Sequence, residues 1–77
     1  MIQELKEMGL SQSMIAREMG TSRQTINQWF IGERSPSARS ISRMAEAMSK
    51  LTGKNVAPAE VYNLIQQIVE RRRKEKV

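Results

Sequence analysis

Residues 11–36, SQSMIAREMGTSRQTINQWFIGERSP, contain two short helical patterns joined by a tight turn. Ser11 is a good N-cap for the first of these helices, and Gly20 ends it, because glycine adopts a positive φ at low cost. Its apolar face carries Ile15, Ala16 and Met19. Only two small residues separate Gly20 from the next helix, so the two helices are expected to cross steeply.

The second helix of this stretch is predicted from about Arg23 to Ile31, with Ser22 as N-cap and Gly32 as its end. Ile26 and Trp29 fall on the buried face of this pattern. Its outward face carries one guanidinium group and three side-chain amides, from Arg23, Gln24, Asn27 and Gln28.

These outward groups are the ones that make paired hydrogen bonds to guanine and adenine edges in the major groove of DNA. The alternative is that the glutamines and the asparagine only solvate an exposed helix. Three amides within five positions, beside an arginine and without the Glu/Lys pairs usual on a solvated helix, favour contact with bases.

Composition argues against several other functions. The 77 residues include no histidine and no cysteine, the eight carboxylates are scattered, and no glycine-rich phosphate loop appears. We therefore expect no enzymatic activity, no metal, no cofactor and no small-molecule ligand. No apolar run is long enough to span a bilayer and no secretory signal is present, which favours a soluble, cytoplasmic protein.

The positive charge is unevenly placed. The chain has a net charge of +5 and a pI of about 10.3, and residues 39–77 carry the whole excess, since lysines and arginines balance glutamates in residues 1–38. A basic domain of this size most often binds a polyanion, and nucleic acid is the first candidate. Charge alone does not distinguish this from a neutral domain with a solvated basic tail.

Three further helical patterns flank the central stretch. A short first helix, with Ile2, Leu5 and Met8 on one face, ends at Gly9, where Leu10 can pack across the helix end. Ser37 can cap a fourth helix with a stripe formed by Ile41, Met44, Ala45, Met48 and Leu51. A last helix starts near Pro58 and covers 59–73, with 74–77 as a basic tail. The basic end from Arg71 to Lys76 either frays or contacts phosphates. The prediction is one all-α domain, residues 1–77, with four to five helices around a central helix-turn-helix.

The apolar stripe of the last helix is wider than a small core easily covers. We therefore expect part of it to form a dimer surface made by Tyr62, Leu64, Ile68 and Val69. The alternative, that the whole stripe is core, has equal support from sequence.

The central stretch resembles the helix-turn-helix family of phage lambda-type repressors and Cro proteins. The resemblance covers about five-eighths of the chain, to about Met48. It is carried by Gly9-Leu10-Ser11-Gln12, Ile15-Ala16, Met19-Gly20, Thr21-Ser22-Arg23, Thr25-Ile26, Trp29, Gly32, Arg34 and Pro36.

The resemblance implies a role for individual residues. The first turns of the second motif helix would contact bases through Arg23, Gln24, Thr25, Asn27 and Gln28. Contacts with the DNA backbone, which fix register without choosing a sequence, would come from Gln12, Ser22, Arg34, Ser37 and Arg39. Gln12 would also buttress the base-contacting residues.

One departure from the family pattern concerns its core. Many members place an arginine in the first helix and a glutamate just after the tryptophan position, forming a partly buried ion pair, whereas this chain has Leu5 and Phe30. We expect a hydrophobic pair to replace that ion pair. The alternative is that Phe30 is partly exposed and only covers the helix end.

The function expected from these observations is sequence-specific binding of double-stranded DNA by a Cro-like transcriptional repressor. A homodimer would occupy a pseudo-palindromic operator and occlude a promoter, in the bacterial cytoplasm at the nucleoid, with no membrane partner. We expect no separate sensor domain, which favours a Cro-like protein over a full-length repressor. An antitoxin-like protein-interaction module with secondary DNA binding is the alternative, and a structural helical domain that does not bind DNA is a third.

Overall fold

The computed structural model describes residues 2–75, and across that range the chain forms five helices and no strand. The helices are α1 (Gln3–Glu7), α2 (Gln12–Met19), α3 (Arg23–Ile31), α4 (Ala38–Thr52) and α5 (Pro58–Glu75). The predicted all-α class is therefore confirmed. No helix in residues 2–75 is long and apolar enough to cross a membrane.

Serine side chains start three consecutive helices. The hydroxyls of Ser11, Ser22 and Ser37 each accept a hydrogen bond from the amide three residues ahead, at 3.2, 3.1 and 3.1 Å. Each bond satisfies an amide that has no partner inside the helix. These are the serines that the sequence predicted as N-caps.

Gly20 ends α2 in the left-handed conformation, with φ of 71°. The amide of Thr21 then donates to the carbonyl oxygen of Ala16 at 3.0 Å, which closes the last turn. Ser22 starts α3 immediately afterwards. This tight connection packs α3 directly against α2, as the motif predicts.

All five helices contribute to one hydrophobic core. Helix α2 packs against α3 and α4, and α5 packs against α3 and α4. The core residues of α3 are Ile26, Trp29 and Phe30, and those of α5 are Val61, Ile65, Ile68 and Val69. Met8 is 38% exposed, so the expectation that it shares the buried face of α1 is wrong. Helix α1 ends one residue before it.

Phe30 has no exposed surface and Leu5 is 1% exposed. Both belong to the same core cluster, which also contains Ile2 and Ile15. The alternative that Phe30 only covers a helix end is therefore wrong. At the two positions where many family members carry an ion pair, this protein buries hydrocarbon.

Hydrogen bonds from α4 hold the neighbouring elements. The Ser49 hydroxyl accepts from the amide of Val56 at 2.8 Å and donates to its carbonyl at 3.2 Å, which fixes the connection between α4 and α5. The Arg43 guanidinium donates to the carbonyl oxygen of Met19 at the end of α2. The second turn of α4 is thereby attached to α2, and its last turn to the connection that leads to α5.

The first and last helices are joined by an ion pair. One guanidinium nitrogen of Arg71 lies 2.7 and 2.8 Å from the two carboxylate oxygens of Glu4. Arg71 therefore does not belong to a frayed basic end. Helix α5 also continues through Lys74, which the sequence had placed in the tail. Residues 76 and 77 of that tail lie outside the described residues.

Two of the four residues expected at a dimer surface belong to the core of the single chain. Ile68 is fully buried and Val69 is 7% exposed, and both belong to the core that α5 forms with the other helices of the same chain. The expectation that they contact a second copy is wrong. Leu64 is half-buried and Tyr62 is 51% exposed, so these two remain accessible.

We predict that Phe30→Glu strongly destabilises the protein. A carboxylate at this fully buried position loses its hydration, and the aromatic contacts are lost as well, at a cost of at least about 3–5 kcal/mol. Urea denaturation followed by circular dichroism measures the effect. Phe30→Leu is the control, with an expected cost on the order of 1–2 kcal/mol. A similar midpoint for Phe30→Glu and the wild type would contradict this account of the core.

Gly32→Ala tests the contact between the end of α3 and α5. Gly32 has φ of 83°, and a Cβ atom there would lie 3.0 Å from a methyl group of Val69. Gly53 has φ of 73° and open space around it, so Gly53→Ala reports the backbone strain alone, about 1–2 kcal/mol. We expect Gly32→Ala to lower the free energy of unfolding more than Gly53→Ala does. Equal losses of free energy in the two variants would show that the close contact with Val69 of α5 adds no cost to the backbone strain.

Candidate nucleic-acid interface

Helix α3 has one face in the core and an opposite face that is polar. Ile26, Trp29 and Phe30 are buried, and their packing fixes how the helix is rotated. The residues predicted to contact bases lie on the rest of its surface. Arg23 and Gln24 are exposed, and Thr25, Asn27 and Gln28 are half-buried.

A hydrogen bond across the motif connects α2 to this polar face. The Gln12 side-chain amide donates to the side-chain oxygen of Asn27 at 3.1 Å. Both residues are half-buried, so the bond is partly shielded from water. It holds Asn27 in place from the first turn of α2, which is consistent with the buttressing role implied for Gln12. Sequence reasoning identified both residues but did not identify them as a pair.

The start of α3 is ordered by Ser22. Its hydroxyl accepts from the Thr25 amide and lies 2.8 Å from the Thr25 hydroxyl. Arg23 and Gln24 extend from the turn that this pair stabilises, and both are exposed. The amino end of a helix also carries partial positive charge, which favours a nearby phosphate.

The turn after α3 presents the second group of predicted backbone contacts. The amides of Glu33 and Arg34 both donate to the carbonyl oxygen of Gln28, at 3.0 and 3.3 Å, which folds the turn back against α3. Arg34, Ser37 and Arg39 are all exposed. Arg34 therefore lies at the carboxyl end of α3, Ser37 and Arg39 follow at the start of α4, and Ser22 lies at the amino end of α3.

A groove of about 340 Å³ opens beside the amino end of α3. Leu5 of α1 and Ile2, which precedes that helix, contribute apolar lining. The polar lining comes from Ser11, Gln12, Ser13, Arg23, Asn27 and Arg72. The groove therefore brings three of the predicted site residues together with an arginine from the far end of the chain.

The sequence left open whether the basic end from Arg71 to Lys76 contacts phosphates, but it did not place Arg72 in particular beside α3. Its position could have been inferred from helical periodicity, because Ile65, Ile68 and Arg72 follow one another at spacings of three and four residues and share a face. The run RRRKEK conceals this signal, since it has the composition of a solvated tail.

Within residues 2–75, no group of three or more histidine, cysteine, aspartate or glutamate side chains is arranged to hold a metal ion. The polar groups that the fold brings together are amides, hydroxyls and guanidinium groups. Such groups act by hydrogen bonding and by charge attraction, as a nucleic-acid interface requires.

A family model described as helix-turn-helix matches residues 1–52, about two-thirds of the chain. The chain belongs to the lambda-repressor and Cro-like helix-turn-helix family. Members of this family bind DNA and regulate transcription, so this helix-turn-helix protein is a DNA-binding transcription regulator. Comparison with curated proteins and with solved structures gave no match. The matched region ends with α4, so α5 is an addition to it that completes the core.

Two substitutions at Ser22 should separate its capping role from its predicted contact with DNA. Ser22→Ala removes the cap of α3 and should lower the free energy of unfolding by about 1 kcal/mol. Ser22→Asp keeps a capping oxygen, so stability should stay near that of the wild type, but its negative charge would repel a phosphate and weaken DNA binding.

Thermal denaturation and fluorescence anisotropy with labelled duplex DNA measure the two effects. Asn55→Asp is the control, because it adds the same charge at an exposed position between α4 and α5. If Ser22→Asp and Asn55→Asp weakened binding equally, Ser22 would not lie near the DNA backbone.

Proposed function

We propose that this protein is a Cro-like transcriptional repressor that binds a pseudo-palindromic operator as a homodimer. It would act in the bacterial cytoplasm, at the nucleoid. The observation that carries the proposal is the exposed polar face of α3, with Arg23 and Gln24 extended and Asn27 held by Gln12.

The chemistry of that face fits the edges of base pairs. An arginine can donate two hydrogen bonds to guanine, and a glutamine can pair its amide with adenine. Arg23, Gln24 and Gln28 supply these groups, and the Thr25 side chain can contact a thymine methyl group or a base edge. Asn27 adds a further amide whose position is fixed by its bond to Gln12.

The predicted contacts with phosphates lie at both ends of α3. Gln12 and Ser22 are near its amino end, and Arg34, Ser37 and Arg39 follow its carboxyl end. Contacts of this kind set the register of the helix in the groove without selecting a sequence. The excess of positive charge after residue 38 adds attraction that falls as salt rises.

A single α3 can contact only a few base pairs, which is too few to define a site in a genome. Two copies related by a two-fold axis would contact half-sites about one helical turn apart. Tyr62 and Leu64 on α5 are the residues that we propose for the contact between copies. A dimer seated across a promoter would then exclude RNA polymerase.

Selection of binding sites from random double-stranded DNA tests the proposal. We expect enrichment of an inverted repeat. Failure to enrich any site, together with recovery of the chain in a stable complex with another protein, would overturn the proposal in favour of a protein-interaction module. Enrichment of an isolated half-site would contradict the proposed homodimer but not the proposed sequence-specific binding.

Binding of protein variants to one selected DNA sequence, and to its single-base variants, then assigns roles to individual residues. Gln28→Ala should relax preference at one position of each half-site, at a cost of about 1–3 kcal/mol for the preferred base, because a base contact is lost. Arg34→Ala should weaken binding to every sequence alike. Asn55→Ala, at an exposed position between α4 and α5, is the control and should change neither property. Equal shifts of specificity for Gln28→Ala and Arg34→Ala would contradict this division of roles.

A further inference from the structure

The groove beside α3 has an unbalanced positive charge. Among its lining residues are Arg23 and Arg72, and none of the lining residues is a carboxylate. Two guanidinium groups that face one groove repel each other unless an anion lies between or beside them. The amides and hydroxyls from the first turn of α2 add hydrogen-bonding groups to the same groove.

Arg71 and Arg72 are neighbours with different surroundings. Arg71 is bound through two contacts to the Glu4 carboxylate, so its charge is compensated inside the protein. Arg72 lies about 100° further around the helix axis than Arg71, and its side chain lines the groove. No ion pair of Arg72 is found among the residues that the structure describes.

Arg72 also has a donor atom without an acceptor among the described residues. The side chain is half-buried, and its Nε atom is shielded from water with no hydrogen-bond partner in the described part of the chain. A shielded donor without an acceptor costs free energy, so the arginine is not placed there by hydrogen bonds within the described residues. The terminal nitrogens of a guanidinium group that lines a groove can bind a carboxylate or a phosphate through charge-assisted hydrogen bonds.

We infer that Arg72 binds a phosphate of the DNA backbone beside the first turn of α2, so that α5 belongs to the DNA interface. This inference rests on the proposed placement of α3 in the major groove. It goes beyond the family match, which ends with α4. The phosphate would lie at the amino end of α3, opposite the end from which Arg34 extends.

The arrangement gives the ion pair between α1 and α5 a further role. Glu4 binds Arg71, and this contact fixes the last turns of α5 against α1. The backbone of Arg72 is therefore held at the edge of the groove. Arg71 acts as a positioning residue, and Arg72 makes the contact.

The salt dependence of DNA binding tests this inference. Each phosphate contact contributes about 0.9 to the slope of log affinity against log salt concentration. Arg72→Gln should lower the slope by about that amount and weaken binding roughly tenfold at moderate salt for every sequence. Lys54→Gln removes the same charge from a separate depression lined by Thr52, Asn55 and Glu60, and it should leave the slope nearly unchanged.

Two comparisons make the result decisive. Arg72→Lys should keep most of the wild-type slope of log affinity against log salt concentration, because lysine carries the same charge. Equal effects of Arg72→Gln and Lys54→Gln, with both proteins folded by circular dichroism, would overturn the inference. The measurement uses a duplex of fixed arbitrary sequence, so it remains valid even if site selection finds no operator and the proposed repressor function fails.

The wild-type protein provides a test that does not depend on the stability of a variant. The side-chain NMR signal of Arg72 Nε–H should shift on addition of the duplex. An unchanged signal at saturating DNA would overturn the inference. Inorganic phosphate, added at the same ionic strength, is the control. If it shifted the Arg72 signal as much as DNA does, the groove would be a site for free anions, and the assignment to the DNA backbone would be overturned.

Discussion

The packing of α3 on its inner face is the constraint on which the rest of the structure depends. A helix of nine residues has to bury enough apolar surface to be held firmly and still keep its other face free. Ile26, Trp29 and Phe30 supply that anchorage, and α2 and α5 supply the surfaces against which they pack. The rotation of α3, and with it the direction of every outward side chain, follows from this contact.

Local signals explain why much of the fold could be predicted from sequence. Ser11, Ser22 and Ser37 mark helix starts, Gly20 and Gly32 mark helix ends, and the apolar spacing between them identifies the buried faces. The polar residues of α3 follow from the same pattern. Ile68 and Val69 were assigned wrongly because a wide apolar stripe does not reveal whether its partner is the same chain or a second copy.

The contacts that sequence did not reveal are those between distant residues. Gln12 and Asn27 are 15 positions apart, and Glu4 and Arg71 are 67 apart, so no helical periodicity relates them. Composition was also misleading at residues 71–74, where four consecutive basic side chains look equivalent. Their differences arise only from the rotation of α5 and from the position of α1 beside it.

The contribution of α5 to the core also affects when the interface can form during synthesis. Helix α3 packs on α5, and the two are separated by the whole of α4, so the surface that buries Phe30 is incomplete until the last helix has left the ribosome. The helix-turn-helix segment emerges early but becomes rigid late. A nascent chain therefore completes the packing that orients α3 only after α5 has emerged, however early the helix-turn-helix segment itself was made.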